Sequence, residues 1–337
     1  MNPHDVNRTK RVRALGLLSG GLDSALAAAL LLEQGVEVTG LHLESPLSCR
    51  SDVREVARDL GIPLIVRAKG PEYLRLLREP RWGYGRHLNP CVDCRVFMLR
   101  RAGAELAAVG ADFLFTGEVL GQRPMSQLRE KIRIVDRHSG LEGRVLRPLS
   151  ARLLPETEAE RDGWVDRSRL LAVSGRSRHV QLAEAARLGL KRYQSPGGGC
   201  LLTDAAFARK LRDLFEHAPP QAVGDADVAL LSLGRHFRLG RGLKIVLGRD
   251  AAENERLAAL ASGHRWLVEP ADFTGPTALV CGPRGSAALD RAASLIARYS
   301  RAPGPDAVIR WGSEGVVRTR PLAGPAWNAI AEPLVAL

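Results

Sequence analysis

The 337-residue sequence has few cysteines and no long apolar segment. Five cysteines are an odd number, which argues against a scaffold of disulfides. Residues 1–13 are polar and charged, and the apolar run that ends at Leu32 is too short to span a bilayer and is followed by Glu33. Neither a secretory signal nor a membrane partner is therefore expected. We expect a cytoplasmic protein in which any functional cysteine takes part in metal, cluster or thiol chemistry.

The chain also lacks a Gly-Lys-Ser/Thr phosphate-binding motif, so the sequence does not support a P-loop NTPase. Acidic residues are in deficit, 37 against 49 basic residues, which gives a net charge of +12. This excess suits a polyanionic partner, with nucleic acid ahead of a membrane because no basic amphipathic anchor is present. A generally basic protein without such a partner explains the charge equally well. The length suffices for two domains with their own cores.

The segment Ser19-Gly20-Gly21-Leu22-Asp23-Ser24 lies between two apolar runs, which predicts a strand, a tight loop and a helix. Adjacent glycines allow successive backbone N–H groups to turn inward as an anion-binding nest, and the helix start adds its positive end. The two serine hydroxyls can donate to phosphate oxygens. Asp23 can cap the helix or hold a hydrated Mg²⁺. The stretch predicts a phosphate-binding loop, with a plain β-to-α turn as the alternative.

Further strands are predicted over residues 36–43, 62–67 and 110–119, separated by helices over residues 51–60 and 91–109, and a further short strand is predicted over residues 170–174. This alternation predicts a parallel sheet with right-handed crossovers. Ligands of such sheets bind beyond the carboxyl ends of the strands. Four residues near the end of the strand over residues 110–119 are therefore candidate ligand contacts, although they could merely satisfy loop backbone: Gly117, Glu118, Gln122 and Arg123.

The motif Asn89-Pro90-Cys91-Val92-Asp93-Cys94 opens the second of these helices. Cys91 and Cys94 should lie close together, and a helix start lowers thiol pKa values toward the thiolate. A redox pair or a chance pair remains an alternative. Cys200 follows three glycines, which let its thiol approach a ligand. Residues 70–90 are expected to be irregular, and their cations and aromatics suit either RNA stacking or a lid. These are Arg78, Arg81, Trp82, Tyr84, Arg86 and His87.

The Ser19–Ser24 string resembles the pyrophosphate-binding PP-loop of the adenine nucleotide alpha-hydrolase superfamily. Together with the two-cysteine motif and a cysteine in a glycine-rich segment, the first 200 or so residues resemble the branch of tRNA 4-thiouridine, 2-thiouridine and 2-thiocytidine synthetases. The resemblance implies an α/β, HUP-like, parallel-sheet catalytic domain over residues 11–203. It also implies an enzyme that uses ATP and Mg²⁺ to adenylate a uridine or cytidine carbonyl of tRNA, releases pyrophosphate and then transfers sulfur. The implied ATP contacts are Ser19, Gly20, Gly21, Asp23, Ser24, Gly117, Glu118 and Arg123, with Asp23 also catalytic.

Two sulfur mechanisms are compatible with this resemblance. In the first, Cys91, Cys94 and Cys200 bind three irons of a 4Fe-4S cluster whose fourth iron holds sulfide, and the spacing favours this pattern. In the second, one cysteine of the pair carries a persulfide, which Cys200 resolves as a disulfide. The sulfur donor would be a cysteine desulfurase or sulfide. A structural zinc site with His87 or His179 as fourth ligand is a further alternative.

Residues 204–337 are predicted to form a smaller α+β domain. The sequence departs from the 4-thiouridine synthetases because there is no room for a THUMP-type domain ahead of Val12, and no rhodanese-like domain is evident. Strand 243–247, followed by Gly-Arg and an Asn-containing helix start, is similar to the RNA-binding domain of NFACT proteins. The similarity implies phosphate contacts by Arg235, His236, Arg238, Arg241, Lys244 and Arg249. A domain used for homodimer formation is the alternative, and Cys281 is expected to pack at a strand end.

Two other functions fit the same residues. One is a PP-loop enzyme that adenylates a small molecule, as an amide ligase or a sulfur-insertion enzyme of cofactor assembly would. The other is a non-catalytic RNA-binding factor in which the loop only senses nucleotide. Failure to bind RNA would favour the small-molecule enzyme, and conversion of ATP to AMP would exclude the non-catalytic factor.

Overall fold

The computed structural model describes residues 11–47, 52–193, 200–301, 307–311 and 315–319. The chain divides into two compact units, residues 1–200 and 201–337, so the division falls three residues before the predicted boundary. Cys49 and the glycine segment 197–199 lie outside the described residues. Within the described part of the chain, no helix is long and apolar enough to cross a membrane.

The first unit contains a five-stranded sheet in the order β3-β2-β1-β4-β5, and every strand pair is parallel. Its strands are β1 (Arg13–Leu17), β2 (Glu37–Glu44), β3 (Leu64–Ala68), β4 (Phe113–Thr116) and β5 (Val145–Leu146). The strand order reverses between β1 and β4, and ligands bind at such switch points beyond the carboxyl ends of the strands. The predicted α/β parallel sheet is confirmed.

Helices cover both faces of this sheet. They are α1 (Leu22–Leu32), α2 (Val53–Asp59), α3 (Gly70–Arg78), α4 (Cys91–Val109), α5 (Arg129–Ser139), α6 (Glu158–Arg161) and α7 (His179–Arg187). Successive strand residues point to opposite faces. Ala14 accordingly packs in one core with α1 and α2, whereas Leu15 packs in another with α4 and α5.

Two expectations for this unit were wrong. Residues 70–78 form helix α3 rather than an irregular segment, because Pro71 suits a first helical turn and Tyr73, Leu74 and Leu77 bury one face. The strand expected near Leu170–Ser174 is reduced to one isolated bridge between Leu120 and Ser174. Its apolar residues are anchored in the core without a neighbouring strand to extend the ladder.

The second unit contains a six-stranded sheet in the order β11-β10-β8-β9-β7-β6, and all its strand pairs are antiparallel. Its strands are β6 (Arg235–Leu239), β7 (Leu243–Leu247), β8 (Arg265–Pro270), β9 (Ala278–Cys281), β10 (Ala307–Trp311) and β11 (Gly315–Thr319). Its helices are α8 (Ala205–His217), α9 (Asp225–Leu230), α10 (Ala251–Ala259) and α11 (Ser286–Tyr299). The core lies between α11 and one face of the sheet. This is the predicted α+β organisation, with Cys281 at the end of β9 as expected.

Candidate active site

The loop between β1 and α1 is a tight turn that leads directly into the start of a helix. Gly20 has φ 78°, in the left-handed region that glycine tolerates. The Ser19 N–H points to Ser24 Oγ at 3.3 Å, and the Ser24 hydroxyl donates to Gly21 O at 3.0 Å. The two serine Oγ atoms are 3.2 Å apart. These contacts hold both hydroxyls at the N-terminus of α1, where an anion is stabilised.

Asp23 lies in the first turn of α1 and has an unsatisfied acceptor. Its buried Oδ1 atom accepts no hydrogen bond from the described part of the chain. A carboxylate oxygen of this kind suits the hydrated shell of Mg²⁺, so the residue fits the metal that ATP chemistry requires. Gly117 lies directly against this turn: a Cβ there would be 2.5 Å from the backbone C and O of Asp23 and from the Ser24 N atom. Only glycine lets the end of β4 approach α1 this closely.

Glu118 is 2% exposed and lies between two arginines. Its carboxylate accepts from Arg147 Nε at 3.0 Å and from the Thr116 hydroxyl at 3.1 Å, and it pairs with Arg95 Nε at 3.3 Å. Burial works against this carboxylate, but the two guanidinium groups outweigh it and lower its pKa. Arg147 continues the network to Asp136 at 2.6 Å. Through its ion pair with Arg95, Glu118 connects the end of β4 to α4, the helix that begins with the cysteines.

The loop before α4 is held to the helix start by polar contacts. The buried Asp93 carboxylate accepts from the backbone N–H groups of Arg81 at 2.8 Å and Trp82 at 3.2 Å. The Cys91 thiol donates to Asn89 Oδ1 at 3.1 Å. These contacts explain two residues of the motif: Asp93 fixes the preceding loop, and Asn89 accepts from the half-buried Cys91 thiol.

Tyr73 of α3 brings the three cysteines into one neighbourhood. Its hydroxyl is 3.4 Å from Cys94 Sγ. Burial raises the pKa of the Tyr73 phenol well above its ordinary value, and negative charge on Cys94, Cys200 and Cys91 raises it further. Arg123 interacts electrostatically with Cys91, Cys200 and Asp23. These electrostatic interactions indicate that Cys200 lies within reach of the charges of this region, although the three thiols do not converge on one point.

The thiol of Cys91 does not have the lowered pKa expected from its place at a helix start. Burial raises the pKa of Cys91, and charge on Cys94 adds to the effect, while Arg95, Asn89 and Arg123 lower it by less. The free-energy cost of removing the thiolate from water exceeds the stabilisation that these partners give it. Cys91 is thus kept mainly as the neutral thiol until a ligand or a change in solvation alters its surroundings.

The residues described here contain no group of three or more His, Cys, Asp and Glu side chains placed to bind a metal ion. Three thiols are a suitable donor set for an iron-sulfur cluster, but in this arrangement they are not gathered as ligands. The same holds for the zinc alternative, and His87 lies exposed with φ 58°. The cluster therefore remains a prediction from the sequence.

Sequence reasoning missed Tyr73, Arg95 and Arg147. Tyr73 fell in a segment expected to be irregular, and the helical spacing of residues 73, 74 and 77 was the signal that could have revealed it. Arg95 follows the second cysteine directly, and Arg147 directly follows β5. Their pairing with Glu118 joins positions 23 and 29 residues apart, which no local pattern indicates.

In the second unit, the structure separates the proposed RNA contacts into two groups. His236 and Lys244 are each 5% exposed, and Arg238 and Lys244 pair with the Asp213 carboxylate at 2.7 and 3.2 Å. These three side chains belong to the interior of the unit and offer little surface to a phosphate. The others are exposed: Arg235 over the Tyr299 ring, Arg241 in the β6–β7 turn and Arg249 beside Glu253.

Residues 10–152 match the family described as thiamine biosynthesis protein (ThiI), and residues 234–314 match the NFACT protein RNA binding domain. The tRNA-specific 2-thiouridylase MnmA of Syntrophotalea carbinolica is 41% identical over 33% of this chain and 35% of its own length. The MnmA protein of Nocardioides sp. is 27% identical over 86% of this chain and 80% of its own. A 4-thiouridine synthetase–RNA complex with bound ATP is 21% identical over 53% of this chain and 52% of that one, with a TM-score of 0.33. The chain spans 34–38% of the length of the first four curated relatives.

A phosphate loop at the switch point of a five-stranded parallel sheet defines a nucleotide-binding α/β protein. The comparisons assign this unit more narrowly. Residues 10–152 are similar to the ThiI family, part of the chain is similar to the tRNA-specific 2-thiouridylases, and residues 234–314 are similar to the RNA-binding domain of NFACT proteins.

Proposed function

We propose that this protein is an ATP-dependent tRNA sulfurtransferase. One observation carries the proposal: Gly117 packs against the backbone of Asp23 in the proposed phosphate loop, and the next residue, Glu118, pairs at 3.3 Å with Arg95, which directly follows Cys94. The proposed nucleotide and sulfur sites therefore adjoin. The relatives named tRNA-specific 2-thiouridylase support the same reaction class. ATP would be the activating cosubstrate, and tRNA the acceptor of sulfur.

In the first step, the carbonyl oxygen of a uridine or cytidine attacks the α-phosphorus of ATP, and pyrophosphate leaves. The nest of Gly20 and Gly21 and the hydroxyls of Ser19 and Ser24 hold the pyrophosphate. Asp23 would hold hydrated Mg²⁺, which neutralises charge on the phosphates when bound. Arg123 stabilises the charge that develops during the transfer. The carbonyl oxygen is a poor leaving group, and adenylation allows it to depart as part of AMP.

In the second step, sulfur displaces AMP. In the persulfide route, the outer sulfur of a persulfide on Cys91 or Cys94 attacks the activated carbon, and its bond to the base replaces the bond to the AMP oxygen. The Cys200 thiolate then attacks the inner sulfur, which gives a protein disulfide and the thionucleoside. An external thiol reductant restores the cysteines. A cysteine desulfurase then supplies the next outer sulfur by transfer from its own persulfide to the cysteine thiolate, whereas sulfide fits only the cluster alternative, because sulfide forms no persulfide on a thiol without an oxidant. No step is derived through a cluster; iron content and the visible spectrum of anaerobically purified protein test that alternative.

We also propose that the NFACT-like region holds tRNA through its exposed arginines, Arg235 and Arg249. An R235A or R249A variant is expected to weaken tRNA binding, and each lost phosphate contact lowers the slope of log K against log salt by about 0.7 on a single strand. An unchanged slope removes that residue from the contacts. Light scattering of the same preparation tests the predicted homodimer.

The decisive experiment compares modified nucleosides of total tRNA, by mass spectrometry, between a strain that lacks this gene and its parent. One thiolated nucleoside is expected to disappear and to return with the wild-type gene but not with C200A. C281A is the matched control, because that cysteine packs in the other unit and should restore the modification. If every thiolated nucleoside survives in a strain without a redundant enzyme, the tRNA proposal fails. AMP production with a small-molecule acceptor would then favour a small-molecule ligase, and no AMP production at all a non-catalytic factor.

A further inference from the structure

Helix α5 carries a stripe of three arginines that has no role in the site described above. Arg129, Arg133 and Arg137 are spaced four residues apart, so they lie on one side of the helix over about 12 Å. All three are exposed. None of them forms an ion pair with any residue in the described part of the chain.

The helix is fixed, and one of its two acidic residues is turned inward. Val135 is buried in a core with residues of α4, and Arg100 of α4 donates to His138 O at 2.7 Å. Asp136 is committed to the guanidinium of Arg147 at 2.6 Å, which leaves Glu130 as the exposed carboxylate of the helix. The stripe is therefore presented on a fixed helix whose exposed charge is predominantly positive, which is an arrangement that binds a polyanion.

A cavity of about 450 Å³ adjoins the stripe. Arg129 and Arg133 line it, and much of its wall is apolar, including Ile132, Leu146 and Leu154. A space of this size holds a small organic group. The lining also carries carboxylates: Asp136 pairs with Arg147 and Glu160 with Arg167, whereas Glu142 and Glu156 are exposed. The cavity therefore suits the flat, neutral base of a nucleotide, with its phosphate outside on the arginines.

The stripe begins close to the cysteine motif. Met125, in the loop that precedes α5, packs so closely on Gly85 that a Cβ there would be 2.8 Å from its terminal carbon. The Gly85 N–H donates to Asn89 O at 2.9 Å, and Asn89 in turn accepts from the Cys91 thiol. Met125 is 42% exposed. A continuous set of contacts thus runs from the sulfur site to the start of α5.

We propose that this face of α5 binds RNA, with the three arginines on successive phosphates and one unstacked base in the adjoining cavity. That the RNA is tRNA rests on the proposed function. The surface is separate from the arginines of the NFACT-like region, and it lies in the unit that carries the catalytic residues. Arginine suits this role because its planar guanidinium donates two parallel hydrogen bonds to phosphate.

The test compares two double variants that each lose two exposed arginines four residues apart. R129A/R133A alters the stripe, whereas R54A/R58A alters α2, which packs in the core on the opposite face of the sheet. Binding of unmodified tRNA transcripts is measured between 50 and 200 mM salt. Two lost single-strand contacts should lower the salt slope by about 1.4 and the affinity by about 25-fold at 0.1 M salt. R54A/R58A should match the wild type, and both should keep its melting temperature.

A third variant tests the cavity. L154W fills it without changing charge and is expected to weaken tRNA binding while leaving the salt slope unchanged. Unchanged tRNA affinity of L154W would overturn the proposal that a base enters the cavity. If the wild type binds tRNA and R129A/R133A keeps its slope and affinity, the surface is not an RNA site, although the proposed function stands. If the wild type binds no tRNA, the proposed function itself fails. A loss of light-scattering mass in R129A/R133A with tRNA binding intact would instead assign the stripe to contact between two copies of the chain.

Discussion

The two ion pairs of Glu118 with Arg147 and Arg95 predict a large loss of stability in the isosteric variant E118Q. In E118Q, one carboxylate oxygen is replaced by an NH₂ group, which turns a donor toward the Nε–H of an arginine. Removing one partner of a buried ion pair costs about 3–5 kcal/mol. Arg147 keeps Asp136 at 2.6 Å, and the Arg95 side chain is 21% exposed and can be solvated. We therefore expect E118Q to lower the free energy of unfolding by about 3 kcal/mol, the lower end of this range.

This loss is measured by calorimetry of the full chain. For a unit of 150–250 residues, 3 kcal/mol corresponds to a decrease of about 6–12 °C in the melting temperature. E105Q is the matched control, because Glu105 also pairs with an arginine, Arg67 at 2.8 Å, but at the surface. An exposed pair contributes about 0–1 kcal/mol. Equal stability of E118Q and E105Q would refute the role given to Glu118.

The pH dependence of the same pair supplies a second check. The pKa of Glu118 is lower in the folded protein than its ordinary value of 4.5, so its stabilisation is fully present above that value. It is lost as the pH falls through the lowered, folded-state pKa. The difference in stability between wild type and E118Q should therefore be constant near neutral pH and shrink in acid. A difference that grew on acidification would contradict the sign of this shift.

Three further predictions concern other parts of the molecule. G117A forces a methyl group against the backbone of Asp23, and such overpacking costs about 1–3 kcal/mol. The variant should therefore bind ATP roughly tenfold more weakly in a calorimetric titration. Unchanged affinity would show that the close approach is dispensable. Burial raises the pKa of Cys91, so its alkylation by iodoacetamide should titrate above pH 9, and R123A should move the midpoint higher because Arg123 lowers that pKa; an acidic midpoint would contradict this. D213N leaves two buried cations without their carboxylate and should destabilise the second unit by about 3–5 kcal/mol, whereas an unchanged melting temperature would make the pair unimportant.

Much of the first unit could be predicted from the sequence because its signals are local. The apolar runs around residues 12–18 and 36–43 became β1 and β2, and the two-cysteine motif opens α4, which ends at Val109 as expected. Helix α3 was missed because Arg, Pro and aromatic residues obscured its short apolar spacing. The expected low pKa of Cys91 was wrong because a helix start was considered without the burial of the thiol.

The second unit was less predictable at the level of its side chains. The strand predicted over residues 243–247 is β7, whereas β6, which carries Arg235, His236 and Arg238, was not predicted. Alternation along a strand sends half of its side chains inward. His236 and Lys244 point into the interior, and Asp213 of α8 offsets the charge of Lys244 and Arg238 there. Which cations remain for a phosphate depended on α8, whose pairing with the sheet has no local signature.

The sequence by itself determined the tight turn between β1 and α1, since the backbone conformation of two adjacent glycines and the helix start after them depend only on neighbouring residues. It likewise determined the parallel order of strands and helices, through apolar periodicity. Only the tertiary structure decided that Glu118 holds two arginines, that Tyr73 lies among the cysteines, and that three arginines of α5 stay without partners in the described part of the chain. These contacts join residues distant in sequence, and their energies depend on burial, which packing alone sets.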